Sequence, residues 1–182
     1  MAMTENTANK TNTAETTGFR AEMADTDEKL RDIAALAEII WNEHFTPIIG
    51  KKQVDYMVDK FQSFHALKEQ TSEGYEYYKI FDGEEFCGYT GIHPGEDGRL
   101  FLSKLYIKKE ARGRHLATRA FEFLKNICLE RGYSAIWLTC NKYNDGSLAV
   151  YNHLGFRTID TQEADIGGGF IMDDYIMEYK IR

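Results

Sequence analysis

Between residues 25 and 45 the apolar positions return at steps of three and four. Leu30, Ile33, Ala34, Ala37, Ile40 and Trp41 fall on one face of a helix. Asp25 and Glu28 ahead of it have the spacing of a capping box, and Pro47 with Gly50 is expected to break it. Two further helical pieces are expected around 51–60 and 63–72, ending at Gly74. The period then changes. "YEYYKIF" and "EEFCGYTGI", separated by Asp82-Gly83, read as a hairpin, and "RLFLSKLYI" follows the turn "PGEDG" as a third strand. From Leu116 the helical stripe resumes at Ala120, Phe123, Leu124 and Ile127 and stops at Gly132. "AIWLTC" is nearly all apolar, as expected of a strand covered on both faces. A short helix, "GSLAVYNHL", ends at Gly155; "FRTIDTQ" and "FIMDDYIMEYKI" close the chain as strands, joined near "GGG" at 167–169. With "FRAEM" as a short first strand, the order predicts a single α/β domain with a mixed sheet, spanning 18–182.

Composition adds boundaries. Residues 1–17 carry almost no large apolar side chain and are expected to be disordered. The remaining chain is long enough for a sizeable core, since the whole has 182 residues with 43% hydrophobic and 13% aromatic content. The sequence has no run of roughly 20 apolar residues and no basic-then-apolar leader pattern, so a soluble cytoplasmic protein is expected, with no membrane partner. Cys87, Cys128 and Cys140 lack CxxC spacing and read as buried thiols. The five histidines show no tight ligand spacing, so no metal is expected. A net charge of -7 argues against nucleic acid and suits a cationic partner, although charge of this size also serves solubility alone.

Against that acidic background, "KKEARGRHLATRAFEFL" stands out. A strand leads into Arg112, Gly113, Arg114 and His115 and then into a helix. The first turn of a helix has N–H groups without intrahelical partners, and the helix dipole adds positive potential there. Gly113 allows close backbone approach, and a diphosphate is the natural guest. The alternative for this stretch alone is a solvated basic loop. Neither a Walker motif nor GxGxxG is present.

About thirty residues on stands "NDGSLAVYNHLGF", with Asn144, Ser147 and Tyr151 followed by Gly155-Phe156. Together the two stretches resemble the GNAT acetyltransferase superfamily, whose members carry a [QR]xxGx[GA] pyrophosphate loop and then N-x-x-[AS]-x-x-x-Y. Arg112 and Ala117 fill the ends of the loop pattern, while His115 stands where the family usually has its second glycine. "IWNEHFTPIIGKKQVDYMVDKFQS", "LFLSKLYI" and "DIGGGFIMDDYIMEYKI" look most like the bacterial PaiA branch, which acetylates spermidine and spermine.

The resemblance implies an acetyl-CoA-dependent N-acetyltransferase with a direct attack by the amine in a ternary complex. It places the phosphates on Arg112, Gly113, Arg114, His115, Leu116, Ala117 and Thr118, and the pantetheine arm along Leu105, Tyr106 and Ile107 and on Asn144 and Ser147. Tyr151 matches the general acid; outside the motif it would read as a packing aromatic. The implied acceptor is a small cationic amine such as a polyamine, and a homodimer is allowed. No unique base emerges, and Glu43, Asp55, Asp59 and Glu69 are candidates for an acidic substrate mouth. Two other readings remain: acetylation of a protein N-terminus or lysine, and an acyl-CoA-sensing module without turnover.

Overall fold

The computed structural model describes residues 18–181, so the expected disordered tail at 1–17 lies outside the described residues. Strand β1 (Phe19–Met23) precedes three helices, α1 (Asp27–Ile49), α2 (Lys51–Phe61) and α3 (Phe64–Ser72). Strands β2 (Glu76–Asp82), β3 (Glu85–Pro94) and β4 (Leu100–Ile107) follow, then a 3-10 turn (Lys109–Ala111) and α4 (Leu116–Arg131). The chain closes with β5 (Ala135–Asn141), α5 (Asp145–Leu154), β6 (Arg157–Gly167) and β7 (Phe170–Lys180). Seven strands form one sheet in the order β1-β2-β3-β4-β5-β7-β6. β4 and β5 run parallel, and the other neighbours run antiparallel. This is the expected α/β fold with a mixed sheet.

Two local expectations are corrected. Thr26, in extended conformation, caps α1 by accepting from the Lys29 N–H at 3.3 Å, while Asp25 instead pairs with the Lys29 ammonium at 2.8 Å. Pro47 does not break α1, which runs on to Ile49. A proline this near a helix end forfeits one backbone bond only, and Gly50, at φ 82°, makes the stop.

Apolar side chains hold a helical layer on each face of the sheet. On one face Leu30, Ile33, Ala37, Ile40 and Trp41 of α1 pack with Tyr77 and Tyr89. On the other, Phe121, Leu124 and Ile127 of α4 pack on Ile92, Leu100, Ile136 and Leu138. Burying a side chain of this size stabilises by roughly 1.5–3 kcal/mol, so the centre of the sheet is a stiff platform. All three cysteines are buried free thiols. Among the described residues, no helix is long and apolar enough to cross a membrane.

One irregularity positions the site. In the β3–β4 ladder Gly91 faces Lys104 and Ile92 faces Leu102, which leaves Ser103 as an extra residue and bends β4. β4 stays paired with β3 as far as Ile107, but its ladder with β5 stops at Phe101–Trp137. Beyond that point the two parallel strands part. A wedge opens in the middle of the sheet, walled by the second half of β4.

Candidate active site

One side of the wedge is built by two consecutive helix starts. After β4 the 3-10 turn carries the chain to Arg112 and then through two left-handed residues, Gly113 at φ 78° and His115 at φ 60°. His115 is the non-glycine residue with positive φ among those described, and it sits at the N-cap of α4 without a side-chain capping bond. The left-handed pair turns the backbone so that α4 begins facing the wedge. The first rung of α4 is Arg119 N–H to His115 C=O at 3.0 Å, which leaves the N–H groups of Leu116, Ala117 and Thr118 directed out of the helix end.

The two arginines differ. Arg112 lies against the end of β4, its Nε donating to the Ile107 carbonyl at 3.1 Å, and it borders the wedge. Arg114 reaches away, to Glu85 at 2.7 Å and Asp82 at 3.5 Å.

Across the wedge, α5 begins at Asn144, which is 4% exposed. Its Oδ1 accepts from the Ser147 N–H at 3.3 Å and meets His44 Nε2 of α1 at 3.2 Å. Burial holds the His44 imidazole below its ordinary pKa, so a neutral ring bridges α1 to the cap of α5. One and two turns along, Ser147 and Tyr151 come to the wedge. Tyr151 packs edge-on against Phe156 at 5.5 Å. Burial drives its phenol well above the usual value, so it keeps its proton at neutral pH.

Two cavities meet here. The smaller, about 270 Å³, is lined by Leu105, Tyr106, Ile107, Arg112, Ala117, Gly146, Ser147 and Tyr151, with Ile40 and His44 of α1. The larger, about 580 Å³, opens on the other side of the sheet edge between α2, α3 and the β6–β7 hairpin. Leu105, Tyr106, Ser147 and Tyr151 line both. The two cavities meet at these four residues.

The character of the larger cavity is set by charge inside apolar strands. Lys104 of β4 is 5% exposed, and its ammonium donates at 2.7 Å to both Gln70 Oε1 and the Tyr77 hydroxyl. Burial lowers its pKa to about 7. Asp174 of β7 is likewise 5% exposed, and its Oδ1 is buried without a hydrogen-bond partner. Burial raises its carboxyl to about 6, helped by the neighbouring charge of Asp173 and opposed by Gln162 and Lys142. Cys140 shares this wall, but burial and then Asp174 push its thiol up to about 12, so it is no nucleophile at neutral pH.

The sequence-level site residues therefore converge in part. Leu105, Tyr106, Ile107, Arg112, Ala117, Ser147 and Tyr151 border the smaller cavity, and Asn144 borders the larger. Gly113, Arg114, His115 and Thr118 are exposed on the turn and the start of α4 rather than in the cavity wall. Among the expected acidic residues, Glu69 lines the larger cavity, joined by Glu73, whereas Asp55 and Asp59 line a separate groove with Ala34 and Asn42. Glu43 is exposed on α1. Three residues escaped sequence reasoning: His44, Lys104 and Asp174. The signal for the last two was legible, a single lysine in "LFLSKLYI" and a carboxylate pair in "FIMDDYIM". Among the described residues no group of His, Cys, Asp or Glu could hold a metal ion.

Solved structures share this architecture. A PaiA N-acetyltransferase from Thermoplasma acidophilum, in complex with coenzyme A, aligns with TM-score 0.72 over 89% of this chain and 99% of its own at 17% identity. A Bacillus subtilis acetyltransferase in complex with CoA gives 0.59 over 90% and 99% at 15% identity. A spermidine N-acetyltransferase chimera from Vibrio cholerae and a second source gives 0.67 over 90% and 96% at 14% identity. Identities this low speak for the fold. The sequence evidence is separate: the model of the acetyltransferase (GNAT) family matches residues 33–156, from α1 through α5 to Phe156, and the chain belongs to that family.

Proposed function

We propose that the chain moves the acetyl group of acetyl-CoA to a primary amine of a small cation, with spermidine and spermine as the acceptors, in a complex holding both substrates. Membership of the GNAT family makes the chain an acetyl-CoA-dependent N-acetyltransferase; the acceptor and the residue roles are our reading. The observation that carries it is the meeting of two cavities at Leu105, Tyr106, Ser147 and Tyr151.

The cofactor side fits coenzyme A. A pyrophosphate needs N–H donors and positive charge, supplied by the free first turn of α4 and by Arg112 beside it. A pantetheine arm needs backbone partners, and past Phe101 the β5-facing edge of β4 has no strand to pair with. Bound acetyl-CoA supplies an acyl group already activated as a thioester. Backbone N–H groups of Leu105 to Ile107 would then meet negative charge developing on its carbonyl oxygen. Tyr151, protonated and at the junction, is the donor to the departing sulfur. Asn144 fixes the start of α5 and so the height of Ser147 and Tyr151.

On the acceptor side, three carboxylates, Glu69, Glu73 and Asp174, line one cavity with Lys60 and Lys104, and the Lys60 ammonium is engaged by the Ile166 carbonyl. Lys104 on the same wall loses its charge above about pH 7, which leaves the cavity more negative in neutral to alkaline solution. One neighbour in fold is named a spermidine N-acetyltransferase, which is in keeping with a polyamine acceptor.

Thiol release from acetyl-CoA across polyamines, aminoglycosides and peptides tests the reading. Polyamines should give the highest kcat/KM, with a KM that rises with ionic strength as exposed charges are screened. Turnover of peptides but not polyamines would replace the acceptor. Coenzyme binding without thiol release from any amine would point to a sensing module.

A further inference from the structure

Asp174 differs from every other acidic residue at the acceptor cavity. Glu69 and Glu73 are exposed on and after α3, where water solvates them. Asp173, its neighbour on β7, is ion-paired with Lys142. Asp174 is buried, leaves Oδ1 without a partner, and enters no ion pair among the described residues. A buried carboxylate oxygen with nothing to bind is costly, and one that lines a cavity can be completed by a group that enters it.

Its position says what that is. Asp174 lines the acceptor cavity and not the cofactor cavity. Cys140 and Tyr106 line the same cavity, and Tyr106 continues with Tyr151 into the smaller one. Asp174 and Tyr151 therefore share the walls of the larger cavity, and Tyr151 alone of the two also lines the smaller.

We infer that Asp174 is the catalytic carboxylate that seats the acceptor ammonium through Oδ1 and takes its proton before attack. This rests on the reading of the chain as an amine acetyltransferase. The step balances. The ammonium gives one proton to Asp174, which passes it to solvent. The nitrogen lone pair forms the N–C bond as the C–S bond breaks, and the sulfur takes the Tyr151 proton. The second proton of the nitrogen returns Tyr151 to its neutral form. The sum is ammonium plus acetyl-CoA giving N-acetylamine, coenzyme A and one proton.

The groups that face Asp174 can be named from each element. Asp173 and Tyr175 adjoin it on β7; Gln162 lies opposite it on β6, and Glu163 lies opposite Asp173. Cys140 and Asn141 face it from β5, with Lys142 just beyond, and Tyr106 approaches from β4. Glu69 and Glu73, Lys60 of α2 and Lys104 occupy other walls of the cavity. Within this set Asp174 is raised to about 6 by burial first, so it is ionised and able to accept at neutral pH and is lost as a base below about 6.

The test measures kcat/KM for spermidine from pH 5 to 9 by thiol release, on wild type, Asp174→Asn and Asp174→Glu, with coenzyme A affinity by calorimetry. The asparagine variant should lose at least 100-fold in kcat/KM and lose the acidic limb with its midpoint near pH 6. Coenzyme A affinity should stay within twofold, because Asp174 does not border that cavity. Asp174→Glu should keep the limb at a reduced rate. An asparagine variant that retains both rate and limb overturns the inference while leaving the acetyltransferase reading intact. A wild type that acetylates neither spermidine nor any other amine overturns that reading and this inference together, and the wild-type rate alone distinguishes the two failures.

Discussion

The two cavities solve opposite recognition problems with opposite materials. The cofactor side is mostly backbone: the open edge of β4, the free N–H groups at the start of α4, and a cap that sets α5, with Arg112 as its cation. The larger cavity, which we assign to the acceptor, is walled by side chains and holds two buried charged groups, Lys104 and Asp174, brought from strands that are sequentially distant. Backbone donors recognise what every acyl-CoA has in common and tolerate changes in side chain. Desolvated charges recognise one amine against another, since a wrong partner leaves them unpaired. On the proposed assignment, cofactor use should tolerate substitution, and specificity should be concentrated in a few residues.

Breaking the junction should do most. Tyr151→Phe removes a proton donor shared by both cavities, so turnover is expected to fall by on the order of 10²-fold. Affinity for coenzyme A, followed by calorimetry, should barely change. Loss of affinity with normal turnover would move Tyr151 from chemistry to packing.

The cofactor side alone should respond to Arg112→Glu. Charge-assisted contacts contribute roughly 1.5–3 kcal/mol, so acetyl-CoA should bind at least about tenfold more weakly while the KM for amine stays unchanged. Arg114→Ala sharpens the contrast. Its guanidinium already answers Glu85 and Asp82, so its removal should cost less than about threefold in affinity.

The smallest effect is expected at His115. Holding a non-glycine residue in the left-handed region costs roughly 1 kcal/mol, so His115→Gly should raise Tm by a few degrees in a thermal melt. Unchanged coenzyme A affinity would show that the histidine only fills the glycine position. Weaker binding would give the ring a phosphate contact.

How much of this was legible in the sequence follows the same division. The turn at 112–118 and the start of α5 are local: a glycine, an arginine, a capping asparagine and a tyrosine at fixed spacing carry their geometry with them. The strands and helices came through for the same reason, apart from the Thr26 cap and the run of α1 past Pro47. Asp174 and Lys104 did not, because a charge in an apolar strand shows its meaning only when the strands are paired. β4 and β7 both flank β5, an arrangement fixed by the crossover through α4 and by the β6–β7 hairpin. His44 is harder still, since its hydrogen bond to Asn144 spans 100 positions in sequence and nothing local announces it.

The central claim is that acetyl transfer passes directly between the two cavities at Leu105, Tyr106, Ser147 and Tyr151. Initial rates with acetyl-CoA and spermidine varied together test it most directly, alongside intact-mass spectra of protein incubated with acetyl-CoA alone. Both substrates must be present at once, and Cys140 is held as a thiol with its pKa pushed up to about 12, so the lines should intersect and the protein mass should not change. Parallel lines, together with an acetyl group retained on Cys140, would contradict it.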